Sequence, residues 1–99
     1  MEITKTGIAG TMESSDIMIT LEKGEGDRIE IALESTVEKR FGKEIRRVIE
    51  ETLRSLSIRG ARVRAVDKGA LDCAVRARVK TAAYRACRAE RYDWEDSPK

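Results

Sequence analysis

Apolar residues fall at every second position from Ile17 onward, with Ile17, Ile19 and Leu21 on one side and Met18, Thr20 and Glu22 on the other. Ile29, Ile31 and Leu33 repeat the pattern, interleaved with Glu30, Ala32 and Glu34. A period of two marks a half-buried strand. Between the two runs stands Lys23-Gly24-Glu25-Gly26-Asp27, whose glycines permit the positive φ angles of a tight connection. The pair predicts an antiparallel β-hairpin.

The period then lengthens. Val37, Phe41, Ile45, Val48, Ile49, Leu53 and Leu56 recur at steps of three and four and predict a helix with one apolar stripe. Ser35 and Glu38 have the spacing of a capping box at its start. Gly42 inside the run costs about 1 kcal/mol relative to alanine, which predicts a separate or kinked first turn. Gly60 is the expected stop signal. Alternation resumes at Ala61, Val63 and Ala65 for a third strand, and Asp67-Lys68-Gly69 turns the chain. A second helix is predicted over about 70–91, with Leu71, Val75, Val79, Ala82, Ala83 and Ala86 as its apolar face. Asp72 suits its first turn and Arg85 and Arg88 its end, as the helix dipole favours.

Residues 1–15 are small and polar and read as extended or loop-like with a short strand, Ile3, Ile8 and Met12 fixing the segment to the core. The expected fold is α+β: one small domain over 1–91 in the order β-β-α-β-α, the hairpin and a third strand carrying two helices on one face, followed by a tail over 92–99.

Composition narrows the chemistry. Charged residues make up 38% of the 99, above the usual quarter, which predicts a mixed-charge surface. Residues 1–50 hold 8 Lys/Arg against 11 Asp/Glu and residues 51–99 hold 12 against 7, which suggests a basic side and an acidic partner or anionic ligand. There is no histidine, so the commonest general base and metal ligand is missing. Cys73 and Cys87 lie on one predicted helix roughly 21 Å apart, too far to bridge, and read as packing residues. No zinc site or Cys–His nucleophile is expected from two lone cysteines. A reducing, cytosolic setting follows from unbridged cysteines, with neither an apolar run of roughly 20 residues nor a signal-peptide layout at the start.

Among polar residues, Ser14 stands just before the first clear strand, flanked by Glu13 and Asp16. Its hydroxyl is a good acceptor for a phosphodiester link, but the ordinary role of such a serine is to cap a turn. Ser15 is as good a candidate on chemistry alone.

The segment Ala9-Gly10-Thr11-Met12-Glu13-Ser14-Ser15-Asp16 resembles the prosthetic-group segment of the citrate lyase acyl carrier family, the gamma subunit of that complex. Ser35-Thr36-Val37-Glu38-Lys39-Arg40-Phe41-Gly42, Asp67-Lys68-Gly69-Ala70-Leu71-Asp72-Cys73, Arg76-Ala77-Arg78 and Trp94-Glu95-Asp96 continue the resemblance in order along nearly the whole chain. It implies that the serine after the glutamate, here Ser14, carries a phosphoribosyl-dephospho-coenzyme A arm through a phosphodiester. It further implies that the arm holds acetyl as a thioester, that an alpha subunit exchanges acetyl for citrate with release of acetate, and that a beta subunit, using a divalent cation, cleaves the citryl group to oxaloacetate. On this reading the chain is a carrier without catalytic residues or a metal of its own, loaded by a prosthetic-group transferase. Such a carrier fits a chain without histidine, because the arm brings the chemistry and tethering raises its effective concentration.

Glu13, Asp16, Asp67, Lys68, Asp72, Arg76 and Arg78 are candidate contacts to the arm or to partners. Asp67 and Asp72 read equally well as helix-start residues, and Arg62, Arg64, Arg76 and Arg78 as surface charge. The main alternative is a small RNA- or partner-binding α+β domain. It is weakened by the lack of strand aromatics on which bases would stack. A phosphopantetheine carrier of the helical-bundle kind would place its serine at a helix start instead of before a strand.

Overall fold

The computed structural model describes residues 1–87. Its elements are β1 (Gly7–Ala9), β2 (Ile17–Lys23), β3 (Ile29–Ser35), α1 (Glu38–Ser55), β4 (Ala61–Asp67) and α2 (Asp72–Cys87). The four strands form one mixed sheet in the order β1-β2-β4-β3. The fold is α+β with the expected element order, and β1 supplies the short strand expected in the leading segment. α2 lies over β1 and β2, α1 lies over β3, and the helices pack on each other.

The alternating residues sort by face as the period required. Ile17, Ile19 and Leu21 from β2 and Ala61, Val63 and Ala65 from β4 are buried, together with Ile45, Val48, Ile49 and Leu53 from α1 and Val75, Val79, Ala82, Ala83 and Ala86 from α2. The opposite faces of β2 and β4 carry Thr20, Glu22, Arg62 and Arg64. Small residues on α2 let it approach β1 so closely that a Cβ on Gly7 would run into the backbone of Ala82 and Ala86.

The predicted hairpin does not form. β2 and β3 run in opposite directions but are not neighbours, because β4 lies between them, antiparallel to β2 and parallel to β3. Period-two alternation fixes which face of a strand is buried, and it leaves open which strand lies alongside. The glycines of the 24–28 connection therefore have a different use. That connection crosses the start of β4, where Ala61 N–H donates to the Arg28 carbonyl at 3.0 Å. A Cβ on Gly24 would collide with the Ala61 backbone, and one on Gly60 with the Gly26 carbonyl.

Helix boundaries depart from expectation at three places. Ser35 is the last residue of β3, and no side chain caps α1; the Ser35 hydroxyl is drawn instead to the Asp67 carboxylate, at 2.9 Å, and accepts from Val37 N–H at 3.0 Å. α1 stops at Ser55, five residues before Gly60, and Gly42 leaves it one continuous element. It ends in a Schellman motif with Ser57 at φ 64°, Ile58 N–H bonding the Leu53 carbonyl at 3.0 Å and Ser57 N–H bonding the Arg54 carbonyl at 2.9 Å. Leu71, expected on the apolar face of the second helix, precedes α2 and is exposed. Cys73 is exposed and Cys87 half-buried, both with free thiols, so only the second packs as expected. Ile3 is buried, whereas Ile8 and Met12 are exposed, and Ala9 takes the inward place in β1. The predicted end of the second helix beyond Cys87, including Arg88, and the tail over 92–99 lie outside the described residues.

Candidate functional site at the Ser14 turn

The parallel strands β3 and β4 end at Ser35 and Asp67, and each is followed within five residues by the start of a helix. β2 begins at this same end of the sheet, since Ile17 pairs with Asp67. Three loops therefore meet here: the lead into β2, the 36–37 connection and the 68–71 connection.

The lead into β2 is a tight turn. Asp16 N–H donates to the Glu13 carbonyl at 3.2 Å, which puts Ser14 and Ser15 at its two central positions. Ser15 takes the left-handed conformation, φ 66°. Upstream, Gly10 has φ 100° and passes so near Ile17 that a Cβ would strike the Ile17 carbonyl. The Ser15 amide donates to the Lys68 carbonyl, and the Lys68 amide donates to the Asp16 carbonyl, each at 2.8 Å. The turn thus continues the β2–β4 ladder by one residue pair.

Side chains complete the hold. Arg78, on α2, donates Nε to Asp16 Oδ1 at 3.0 Å and Nη2 to Asp16 Oδ2 at 2.8 Å. Thr11 Oγ1 donates to Asp16 Oδ2 at 2.6 Å and accepts from Glu13 N–H at 3.2 Å. Ile17 N–H donates to Asp16 Oδ1 at 2.7 Å. Hydrogen bonds from Arg78, and then from Thr11, hold the Asp16 carboxyl far below the ordinary carboxylate range, and Asp16 raises the Arg78 guanidinium in turn. Asp16 keeps only 15% of its side-chain surface exposed. Ser14 is exposed, and its hydroxyl makes no hydrogen bond among the described residues.

The candidate residues divide accordingly. Glu13, Ser14, Asp16, Lys68 and Arg78 come together in this turn. Asp67 lies behind it, 1% exposed, its carboxylate accepting from Ser35 Oγ, from Gly69 N–H at 3.1 Å and from Ala70 N–H at 3.0 Å. It ties the end of β3 to the 68–71 connection and caps that connection. Asp72 and Arg76 are elsewhere, Asp72 in the first turn of α2 and Arg76 reaching Glu51 on α1 at 3.8 Å. The arginines of the basic half are dispersed: Arg62 nears Glu30 on the open sheet face, Arg54 pairs with Glu50, and Arg85 bonds the Ile8 carbonyl. Sequence reasoning missed Thr11, whose role follows from its neighbours in space and has no spacing signal.

The arrangement offers a free hydroxyl at the tip of a turn whose downstream leg is clamped. A phosphodiester link to a prosthetic group needs an unengaged hydroxyl with room around it, and the Ser14 hydroxyl fits.

Comparison with known proteins places the chain in a family. Residues 4–86 match the acyl carrier protein family model described as "Malonate decarboxylase delta subunit (MdcD)". One chain of a crystal structure of a Pseudomonas malonate decarboxylase hetero-tetramer in complex with malonate superposes with a TM-score of 0.65 at 19% identity, covering 83% of this chain and 88% of that one, a likeness of fold. The family defines the class: an acyl carrier component rather than a catalytic enzyme. The citrate lyase acyl carrier proteins of Streptococcus mutans serotype c and Streptococcus uberis are each 53% identical to it over 96 residues, 97% of this chain and 94% of theirs. That of Streptococcus pyogenes serotype M18 is 48% identical over the same span. The chain belongs to the citrate lyase acyl carrier protein family.

Proposed function

We propose that this chain is the acyl carrier subunit of a citrate lyase complex and that its prosthetic arm is attached through a phosphodiester to Ser14. The carrying observation is the 48–53% identity to carriers of that name over 97% of the chain. The turn supports attachment at one of its two central serines. Both serine hydroxyls of the turn are exposed and without a hydrogen bond among the described residues, and the choice of Ser14 over Ser15 rests on its place after Glu13 in the segment that resembles the family's prosthetic-group segment.

When bound, a phosphoribosyl-dephospho-coenzyme A group supplies a mobile terminal thiol that holds acyl groups as thioesters. The chain's own residues present and orient the point of attachment. Asp16 and Arg78 fix the downstream leg of the turn, so the arm swings from a defined base instead of a loose loop. The partners on this reading are the alpha subunit, which transfers acyl groups, the beta subunit, which cleaves the citryl group, and the transferase that installs the arm. The structural neighbour, from a hetero-tetramer, is consistent with a multi-subunit setting, and a cytosolic location follows for a citrate-consuming complex of this kind. RNA binding gains no support, since none of the four strands carries an aromatic residue.

Intact mass spectrometry of the chain co-expressed with its modifying enzymes tests the site. One added arm is expected on the parent and on Ser15→Ala, and none on Ser14→Ala. An arm retained on Ser14→Ala overturns the assignment. The unmodified chain alone is expected to show no citrate cleavage, and turnover by it overturns the carrier role.

A further inference from the structure

Among the described residues, two that are not glycine have a positive φ, Ser15 at 66° and Ser57 at 64°. Ser57 ends α1 in a Schellman motif, a common place for that conformation. Ser15 ends no helix. It sits at the second central position of the Glu13–Asp16 turn, and Ser14 before it has a negative φ. A negative φ followed by a positive one is the sign pattern of a type II turn, whose second central position favours glycine or asparagine. At its other positive-φ loop positions the chain has glycine, Gly10, Gly26 and Gly69. A serine in this conformation persists only where its surroundings impose it.

The surroundings of Ser15 do so. The peptide that links Ser14 to Ser15 is the middle of the turn, and its N–H donates to the Lys68 carbonyl at 2.8 Å. Rotating that peptide to the type I arrangement, which gives the second central residue a negative φ, turns the N–H away and breaks this bond. Lys68 is held in turn, since its own N–H donates to the Asp16 carbonyl at 2.8 Å. Asp16 is held by Arg78 and Thr11. A run of hydrogen bonds thus leads from α2 to the peptide plane beside Ser14.

We propose that Ser15 is a positioning residue for arm attachment: its left-handed backbone, locked by the Lys68 carbonyl, sets the direction in which the Ser14 hydroxyl meets the transferase. The inference rests on the reading of Ser14 as the attachment point. Attachment joins Ser14 Oγ to the phosphorus of an activated, phosphoanhydride form of the arm. The hydroxyl proton passes to a base of the transferase. The bond from phosphorus to the leaving phosphate oxygen breaks, and that phosphate departs with the bonding electrons. Such a displacement needs the attacking oxygen in line with the departing bond. A hydroxyl beside a fixed peptide plane therefore reacts faster than one beside a plane that flips.

The test follows arm attachment by intact mass against time, with purified transferase, the activated arm precursor and four variants. Ser15→Gly and Ser15→Asn accept a positive φ, Ser15→Ala accepts it less readily, and the β-branched Ser15→Val resists it. Ser15→Gly and Ser15→Asn are expected to load at the parent rate, and Ser15→Val about tenfold more slowly through kcat, with KM unchanged. Ser15→Ala is expected in between, and each variant carries one arm at the end point. Four equal rates overturn the proposal. Ser15→Gly as slow as Ser15→Val also overturns it, and assigns the role to the Ser15 hydroxyl. If Ser15→Val does not fold, Ser15→Gly and Ser15→Ala carry the comparison, and equal rates for those two overturn the proposal. An arm found on Ser14→Ala overturns the attachment site itself, and the positioning role with it.

Discussion

Arg78 and Asp16, 62 residues apart in sequence, close a two-pronged hydrogen bond that ties α2 to the turn carrying Ser14. Through it the helix layer sets the base of the exposed loop. Planar pairing of this kind is directional, which a lysine at 78 would not reproduce.

The pair makes stability depend on pH in a defined direction. Bonds from Arg78 and Thr11 hold the folded Asp16 carboxyl below its ordinary value of 3.8. The unfolded chain therefore binds the proton more readily, and the contribution is complete above pH 3.8 and is lost as pH falls below it. Asp16→Asn should have a lower urea midpoint than the parent at pH 7. The gap should narrow below pH 3.8. A gap that is the same at pH 7 and at pH 3 would show that the carboxylate's charge is not its source.

Asp67 acts as a structural joint. Asp67→Ala removes the acceptor for three buried or half-buried donors and should cost about 2–4 kcal/mol in chemical denaturation. Asp67→Asn, which keeps one carbonyl oxygen, should cost less and leave Ser14 open to modification. Full stability but no modification in Asp67→Asn would instead make Asp67 a contact of the arm or the transferase.

Ser57 occupies a left-handed position at the end of α1 where glycine is at ease. Relief of the Cβ penalty, partly offset by the freer unfolded chain, gives Ser57→Gly an expected gain of about 0.5–1 kcal/mol, measurable as a raised urea midpoint.

Ile49 is fully buried between the layers, whereas Phe41 on the same helix is half exposed. Ile49→Ala should cost about 2–5 kcal/mol, a large part of the stability expected of a domain this size. Phe41→Ala should cost well under that, and denaturation curves for the two variants compare them directly. Equal losses would place Phe41 in the core.

The periodicity that put both residues on one apolar stripe could not separate them. A helix's stripe states which side is apolar. Whether a given turn of it has anything packed above it is decided by the other layers, and Phe41 stays half exposed where Ile49 is covered. The capping-box spacing at Ser35 and Glu38 misled in a similar way. Ser35 found a stronger partner in Asp67, which is 32 residues away in sequence and beside it only once β3 and β4 pair.

By itself the sequence determined the α+β class, the number and order of helices and long strands, the buried face of each strand and, through ordered resemblance along the chain, the carrier family. These are local or inherited properties: a period of two or of three to four is written in consecutive residues. Only the tertiary structure decided that β4 enters between β2 and β3, because alternation names a face and never a neighbour. It also decided that Asp16, Thr11, Lys68 and Arg78 converge on the Ser14 turn. Their contacts cross between strand, loop and helix, and exist only when the layers have packed.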